Sequence, residues 1–316
     1  RLPVEGSEVI EKIIIADHHG FCMGVKRAIQ VAEETKGRGV ENVTILKEIV
    51  HNNAVVEKFR AAGVKQALDI EGGTVIVSAH GVAPAIMDRA RDRGLEIIDA
   101  TCPLVTRIHD IVDRLVEKDF NILHFGDHQH DETMGVVGHA PEGRITVIPD
   151  IDVLLALPDE MPERLALTSQ ATAEAERFEE IERKAEERWP QIKVFNTICN
   201  ATNQRQSAII KMAPTVDVTL VVGSDSSANS RRLTSIAETL CDAAFLIDSE
   251  ADIRDQWFTN DRGEPARIVG ISAGASTPEF LVEGVVDRLL GLSAGEAEVI
   301  RPARQKRENN LALQED

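Results

Sequence analysis

Short β-branched runs recur along the 316 residues of the chain, at 12–16, 43–47, 74–78, 95–99, 121–125, 145–149, 165–168, 192–195, 217–222, 244–247 and 267–271. Amphipathic stretches with helical spacing lie between most of them, as at 24–35, 104–117, 173–187, 230–240 and 280–290. Strands alternating with helices predict βαβ units and largely parallel sheets. So many strands would be unusual in one sheet, so several small sheets are expected.

Three of the four cysteines fall at matching points of this pattern. Cys22 follows the first run and opens a helix. Cys102 follows the run at 95–99 and precedes Pro103, a residue favoured at the first helical position. Cys199 follows the run at 192–195 and precedes Asn200 and Thr202, either of which could cap a helix. The pattern predicts an α/β chain of three small domains with mostly parallel sheets, at 23–102, 103–196 and 197–292. A strand at 10–22 packs near the centre, and a charge-rich tail at 293–316 is mobile.

The formal charge of −18 argues against a nucleic-acid partner, because phosphate backbones are held by basic surfaces. A compact anion is still compatible, since a few local donors can hold one. No apolar run approaches the roughly 18–20 residues of a membrane span, and the first residues lack the apolar core of a secretory signal. A cytoplasmic protein is the default expectation. Four cysteines in so long a chain, with no C-x-x-C pair, argue against a secreted disulfide scaffold and a zinc ribbon.

Thiols at helix N-termini face partial positive charge and unpaired N–H groups, which favour a metal-bound thiolate. Gly20 and Gly24 flank Cys22 and let backbone approach a bulky inorganic group. Three such thiolates would suit an iron–sulfur cluster with one iron lacking a protein ligand. The bland alternative is that each is a small buried hydrophobe, the reading adopted for Cys241 at the end of an apolar helix stripe.

The stretch Gly20-Phe21-Cys22-Met23-Gly24-Val25-Lys26-Arg27-Ala28 resembles the first signature of the 4-hydroxy-3-methylbut-2-enyl diphosphate reductase family. Further similar motifs follow in order: Ile49-Val50-His51-Asn52, Ser78-Ala79-His80-Gly81, Asp99 to Val105, His130-Asp131-Glu132, Gln170 with Thr172, and Cys199-Asn200-Ala201-Thr202. Val222-Gly223-Ser224 leading to Asn229-Ser230, and Ala273 to Pro278, complete the set. The resemblance implies a trefoil of three α/β domains around a central [4Fe–4S] cluster on Cys22, Cys102 and Cys199. It implies an allylic diphosphate substrate, dehydroxylated to isopentenyl and dimethylallyl diphosphates in the last step of the non-mevalonate isoprenoid pathway. Reduced ferredoxin or flavodoxin is implied as electron donor.

The same resemblance casts Glu132 as the catalytic acid and His51, His80, His130, Thr172, Ser227, Asn229 and Ser276 as substrate-binding residues. Taken alone, each histidine could be an ordinary surface or core residue, and Glu132 a solvated loop charge. Protonated imidazoles beside phosphate would give charge-assisted bonds. A carboxyl enclosed near an anion would have a raised pKa, as a general acid needs. Ser276-Thr277-Pro278-Glu279 also fits a capping box, with the serine occupied by its own helix.

Two departures from the family stand out. Ala171 replaces the first of two threonines after Gln170, and Ala228 interrupts a Ser-Ser-Asn phosphate motif. Altered proton delivery and affinity are expected, not lost activity. A non-catalytic iron–sulfur sensor on the same scaffold is the alternative, but it would need no such polar lining.

Overall fold

The computed structural model of the chain describes residues 10–67, 72–260 and 262–302. β1 (Lys12–Ile15) and α1 (Met23–Gly37) come first. They are followed by β2 (Val43–Leu46), α2 (Asn53–Ala61), β3 (Lys65–Ala67), β4 (Thr74–Val77), α3 (Pro84–Asp92) and β5 (Glu96–Asp99). The four strands β2 to β5 form one parallel sheet in the order β3-β2-β4-β5.

The pattern then repeats. α4 (Pro103–Glu117), β6 (Asn121–Phe125), α5 (Asp131–Val137), β7 (Ile145–Ile148), α6 (Ile151–Ala156), β8 (Leu165–Ser169), α7 (Ala175–Arg188) and β9 (Lys193–Val194) follow. Their parallel sheet has the order β7-β6-β8-β9. Last come α8 (Asn200–Met212), β10 (Val218–Val222), α9 (Ala228–Glu238), β11 (Ala243–Ile247), β12 (Ile268–Ala273), α10 (Glu279–Leu292) and β13 (Glu298–Ile300). The third parallel sheet runs β11-β10-β12-β1-β13.

Three sheets thus share one winding. The chain enters at an inner strand, steps outward on one side, crosses back, and finishes beyond its starting strand. In the third sheet the finishing strand is β1, from the opposite end of the chain. It lies in register with β12, Ile13 beside Val269 and Ile15 beside Ile271. β1, within the segment 10–22 expected near the centre, is thus itself a strand of the third sheet.

The central strands β2, β4, β6, β8 and β10 are nearly all buried, because helices cover both faces of each sheet. The helices supply matching stripes. In α1, Val25, Ala28, Ile29 and Ala32 recur at helical spacing and pack on Ile45 and Ile76 of the first sheet. α1 thus leaves the sheet that contains β1 and covers the next one. α4 does the same from the first sheet to the second, with Ile108, Val112 and Leu115 against Ile122 and Ala166. α8 does it from the second to the third, where Ile209 and Met212 pack on Val221.

The tail differs from expectation. Residues 298–300 pair with β1 as an edge strand, and Ala297 and Val299 join the third core. Three residues with one polar end carry too little alternation to be read as a strand. Residues 303–316 of the expected mobile tail lie outside the described residues.

Ile13 is fully buried in the third core. Ile13→Ala is expected to cost about 2–5 kcal/mol of stability, as for other large-to-small core changes, in urea unfolding. A loss below about 1 kcal/mol would contradict the place of β1 inside that sheet.

Candidate active site

In parallel sheets with this winding, a crevice opens beyond the carboxyl ends of the strands where the chain reverses direction. The reversal falls between β2 and β4, β6 and β8, and β10 and β12. The loops and first helical turns after these six strands carry His51, His80, His130 with Glu132, Thr172, Ser227 with Asn229, and Ser276. The three finishing strands, β1, β5 and β9, lead instead to Cys22, Cys102 and Cys199. All eleven residues line one cavity.

Each cysteine is the N-cap of the helix that crosses to the next module. The Val25 N–H donates to Cys22 Sγ at 3.5 Å, and the Thr202 N–H to Cys199 Sγ at 3.3 Å. The Thr202 hydroxyl lies 3.0 Å from the Cys199 sulfur. Neither Asn200 nor Thr202 caps α8, because the cysteine itself takes that place. Gly24 brings the first turn of α1 against Cys102, and a Cβ there would stand 2.4 Å from the Cys102 sulfur.

Burial pushes the Cys102 thiol up, with backbone N–H groups of Leu104 and Val105 opposing. Burial likewise pushes Cys199 up to about 11, against its hydrogen bonds from Thr202. Thiols in this condition become thiolates only against a compensating cation. Soft donors at three helix N-termini, converging on one cavity, fit a metal–sulfur cluster. Cys241 lies elsewhere, packed in the third core with its S–H near the Val216, Asp217 and Ala243 carbonyls.

The three imidazoles form a compact group. His51 stacks on His80 with ring centroids 4.1 Å apart, and His130 meets them edge-on at 5.3 and 5.7 Å. Burial, reinforced by its imidazole neighbours, holds His80 well below the usual histidine range. Burial and then His51 hold His130 at about 4. In the ligand-free site both are therefore neutral near pH 7, contrary to the expectation of charged donors. An anion between them would raise both values. The Glu132 N–H donates to His130 Nδ1 at 3.2 Å, so the neutral ring carries its proton on Nε2.

His51 pairs through Nδ1 with Glu48 at 3.0 Å, while its Nε2 is buried without a partner. His51, His80 and Asp131 place ligand atoms within 4.8 Å of one another, a possible metal grouping. Lys47 already neutralises Asp131 by a direct ion pair.

Asn229 is buried in the first turn of α9, with neither amide atom partnered. Ser227 caps that helix, its Oγ accepting from the Ser230 N–H at 3.3 Å. Ser276 is not a capping residue: α10 begins at Glu279 behind Pro278, and the Ser276 hydroxyl donates to the His51 carbonyl at 2.8 Å. That bond joins the third module to the first. Thr172 accepts from Gln170 Nε2 at 2.8 Å.

Glu132 is only 2% exposed, and burial raises its carboxyl to about 7. The Ala171 N–H, at 2.6 Å from Oε1, partly opposes that rise. The position where the family's threonine is missing thus still anchors the acid through its backbone. Sequence reading missed Lys47, Glu48 and Arg205, each of which touches the site's framework. Lys47 stands at a strand end in a left-handed conformation (φ 60°), which no local motif announced.

Residues 13–290 match the family model described as LytB protein. The chain belongs to the LytB family. A LytB relative from Tolumonas auensis, 39% identical over 91% of this chain and 94% of its own, is named 4-hydroxy-3-methylbut-2-enyl diphosphate reductase. So is one from Aquifex aeolicus, 37% identical over 90% and 98%. The solved structure of the Plasmodium falciparum E-1-hydroxy-2-methyl-but-2-enyl-4-diphosphate reductase superposes with a TM-score of 0.86. It is 28% identical and covers 94% of this chain and 93% of that one. The LytB fold is therefore the trefoil arrangement of three α/β modules that the motifs implied.

The raised pKa of Glu132 fixes a pH signature. The unfolded carboxyl, near 4.5, loses its proton before the folded one, near 7, so stability falls as pH rises between these values. In urea titrations Glu132→Gln is expected to lose that fall, so that its stability relative to the parent rises across this pH window. An unchanged slope would mean that Glu132 titrates as an ordinary exposed acid.

Proposed function

We propose that this chain reduces 4-hydroxy-3-methylbut-2-enyl diphosphate with two electrons and two protons, one proton leaving with the allylic hydroxyl as water and the other ending on the allylic carbon, to release isopentenyl and dimethylallyl diphosphates. The observation that carries the reading is the single cavity in which a buried, protonatable Glu132 faces three thiols and three imidazoles. Cys22, Cys102 and Cys199 hold a [4Fe–4S] cluster with one iron free of protein ligands. When bound, that cluster supplies the electrons, delivered by reduced ferredoxin or flavodoxin, and Lewis acidity toward the hydroxyl oxygen.

The chain's own groups do the rest. Asn229, Ser227, the free end of α9 and the three imidazoles hold the diphosphate. A buried amide without partners costs roughly 1–3 kcal/mol, which the phosphate oxygens recover by accepting from it. Binding raises the His80 and His130 pKa values and converts them into charge-assisted donors. Ser276, tied to His51, keeps the phosphate-binding wall of the third module against that of the first. Thr172 lines the cavity beside Ala171. Glu132, held in place by the Ala171 N–H, protonates the departing hydroxyl oxygen. The burial of Glu132 in the cavity keeps bulk water from competing for that proton.

The test is anaerobic reconstitution followed by turnover with reduced viologen and the hydroxylated diphosphate, with both five-carbon products measured. Glu132→Gln keeps shape and binding but removes the transferable proton. It is expected to load the cluster and bind substrate while turnover falls by about 10²–10⁴-fold. Near-normal turnover with intact binding would remove Glu132 from the chemistry, and no product from the parent would overturn the reading. Ala171→Thr is expected to raise turnover or affinity modestly, within about 1 kcal/mol for one neutral hydrogen bond. A kinetic profile identical to the parent would show that no hydroxyl is needed there.

A further inference from the structure

Arg205 lies in the second turn of α8 and is only 5% exposed. Its Nη1 donates to the Ala201 carbonyl at 2.7 Å, one turn back toward Cys199. Its Nη2 donates to the Gly20 carbonyl, two residues before Cys22. Its Nε is buried with no partner. Among the described residues no carboxylate forms an ion pair with it. The groups that favour its charged form are the Cys22 and Cys199 thiols, acting against the cost of burial. Burial, and then the Arg205 charge, hold the neighbouring His18 below its usual range, so that imidazole is no counter-charge for Arg205.

A guanidinium does not shed its proton inside proteins, so Arg205 stays a cation. A buried cation without a counter-charge is costly, whereas Lys47 and Arg232, both less buried, are paired with Asp131 and Glu174. The missing anion has one source within reach. Three thiolates outweigh the positive charge of an oxidised four-iron core, so a loaded cluster is net negative.

We propose that Arg205 is a positioning residue: its guanidinium is the counter-charge of the loaded cluster and clamps the Cys22 loop to the Cys199 helix. The inference rests on the assignment of the cluster to Cys22, Cys102 and Cys199. The cation beside two of the ligands stabilises the reduced, more negative state and so raises the reduction potential. The fork geometry fixes two ligand-bearing backbones that belong to different modules, which a lysine point charge cannot do with equal order.

The experiment compares the parent, Arg205→Lys and Arg205→Met, each reconstituted anaerobically. Iron and sulfide content, the midpoint potential by optical titration, and the rate of iron loss to a chelator are measured. The expected order in both retention and potential is parent, then lysine, then methionine. The methionine variant is expected to lose iron faster by about tenfold or more, as for removal of one member of a buried charge pair, and to reduce at a more negative potential. Melting of the three chains with and without the cluster gives a readout independent of turnover: the gain on loading should shrink in the same order. A lysine variant no better than methionine in loading, retention or potential would overturn the role of charge, even if both failed to load. A methionine variant equal to the parent would overturn the proposal altogether. A parent chain that takes up no iron would instead overturn the cluster assignment itself.

Discussion

Because every sheet is parallel, each module can offer functional groups only along the carboxyl edge of its strands. Three such edges must face one another before any site exists. The chain secures this at three points, where a finishing strand passes through a cysteine into a helix that covers the next sheet. The same three residues end a module, cap a crossing helix and face the cavity. Displacing any one of them would disturb packing across a module boundary as well as the donor set. The entry of β1 into the third sheet closes the circuit, since the chain's first strand supplies the edge that leads to Cys22.

The second consequence of convergence is electrostatic. Thiols, imidazoles, a carboxyl and a guanidinium are brought out of water together. Burial is the largest cause that drives three of them toward their neutral forms: Glu132 up to about 7, His130 down to about 4 and Cys199 up to about 11. Such a site is poorly satisfied by itself, with orphaned atoms on His51, Asn229 and Arg205. A negatively charged cluster beside Arg205 and a diphosphate among the imidazoles would each supply negative charge that favours the cationic form of the groups around it. The unsatisfied atoms sort into the same two neighbourhoods.

Much of this was legible in the sequence because the signals were local. Eleven β-branched runs appear as strands, and the cysteines fall at strand-to-helix junctions as the spacing indicated. What escaped were features defined by distant partners. β3 and β13, of three residues each, gain their strand character only from a neighbouring edge. Ser276 read equally well as a helix cap, and only its bond to the His51 carbonyl, from another module, decides against that. The charge state of His80 and His130 depends on mutual burial that no motif encodes. Arg205 looks like one more polar residue of a helix until Gly20 from the far end of the chain closes over it.

The account turns on whether the three crossing-point cysteines, and not the fourth, hold the cluster. Iron and acid-labile sulfide per chain, with the visible spectrum after anaerobic reconstitution, should be compared for Cys22→Ser, Cys102→Ser, Cys199→Ser and Cys241→Ser. Each of the first three is expected to lose or destabilise the cluster, because a hard hydroxyl is a poor ligand for it. Cys241→Ser is expected to match the parent. Loss of the cluster from Cys241→Ser, with retention in Cys199→Ser, would contradict the account at its centre.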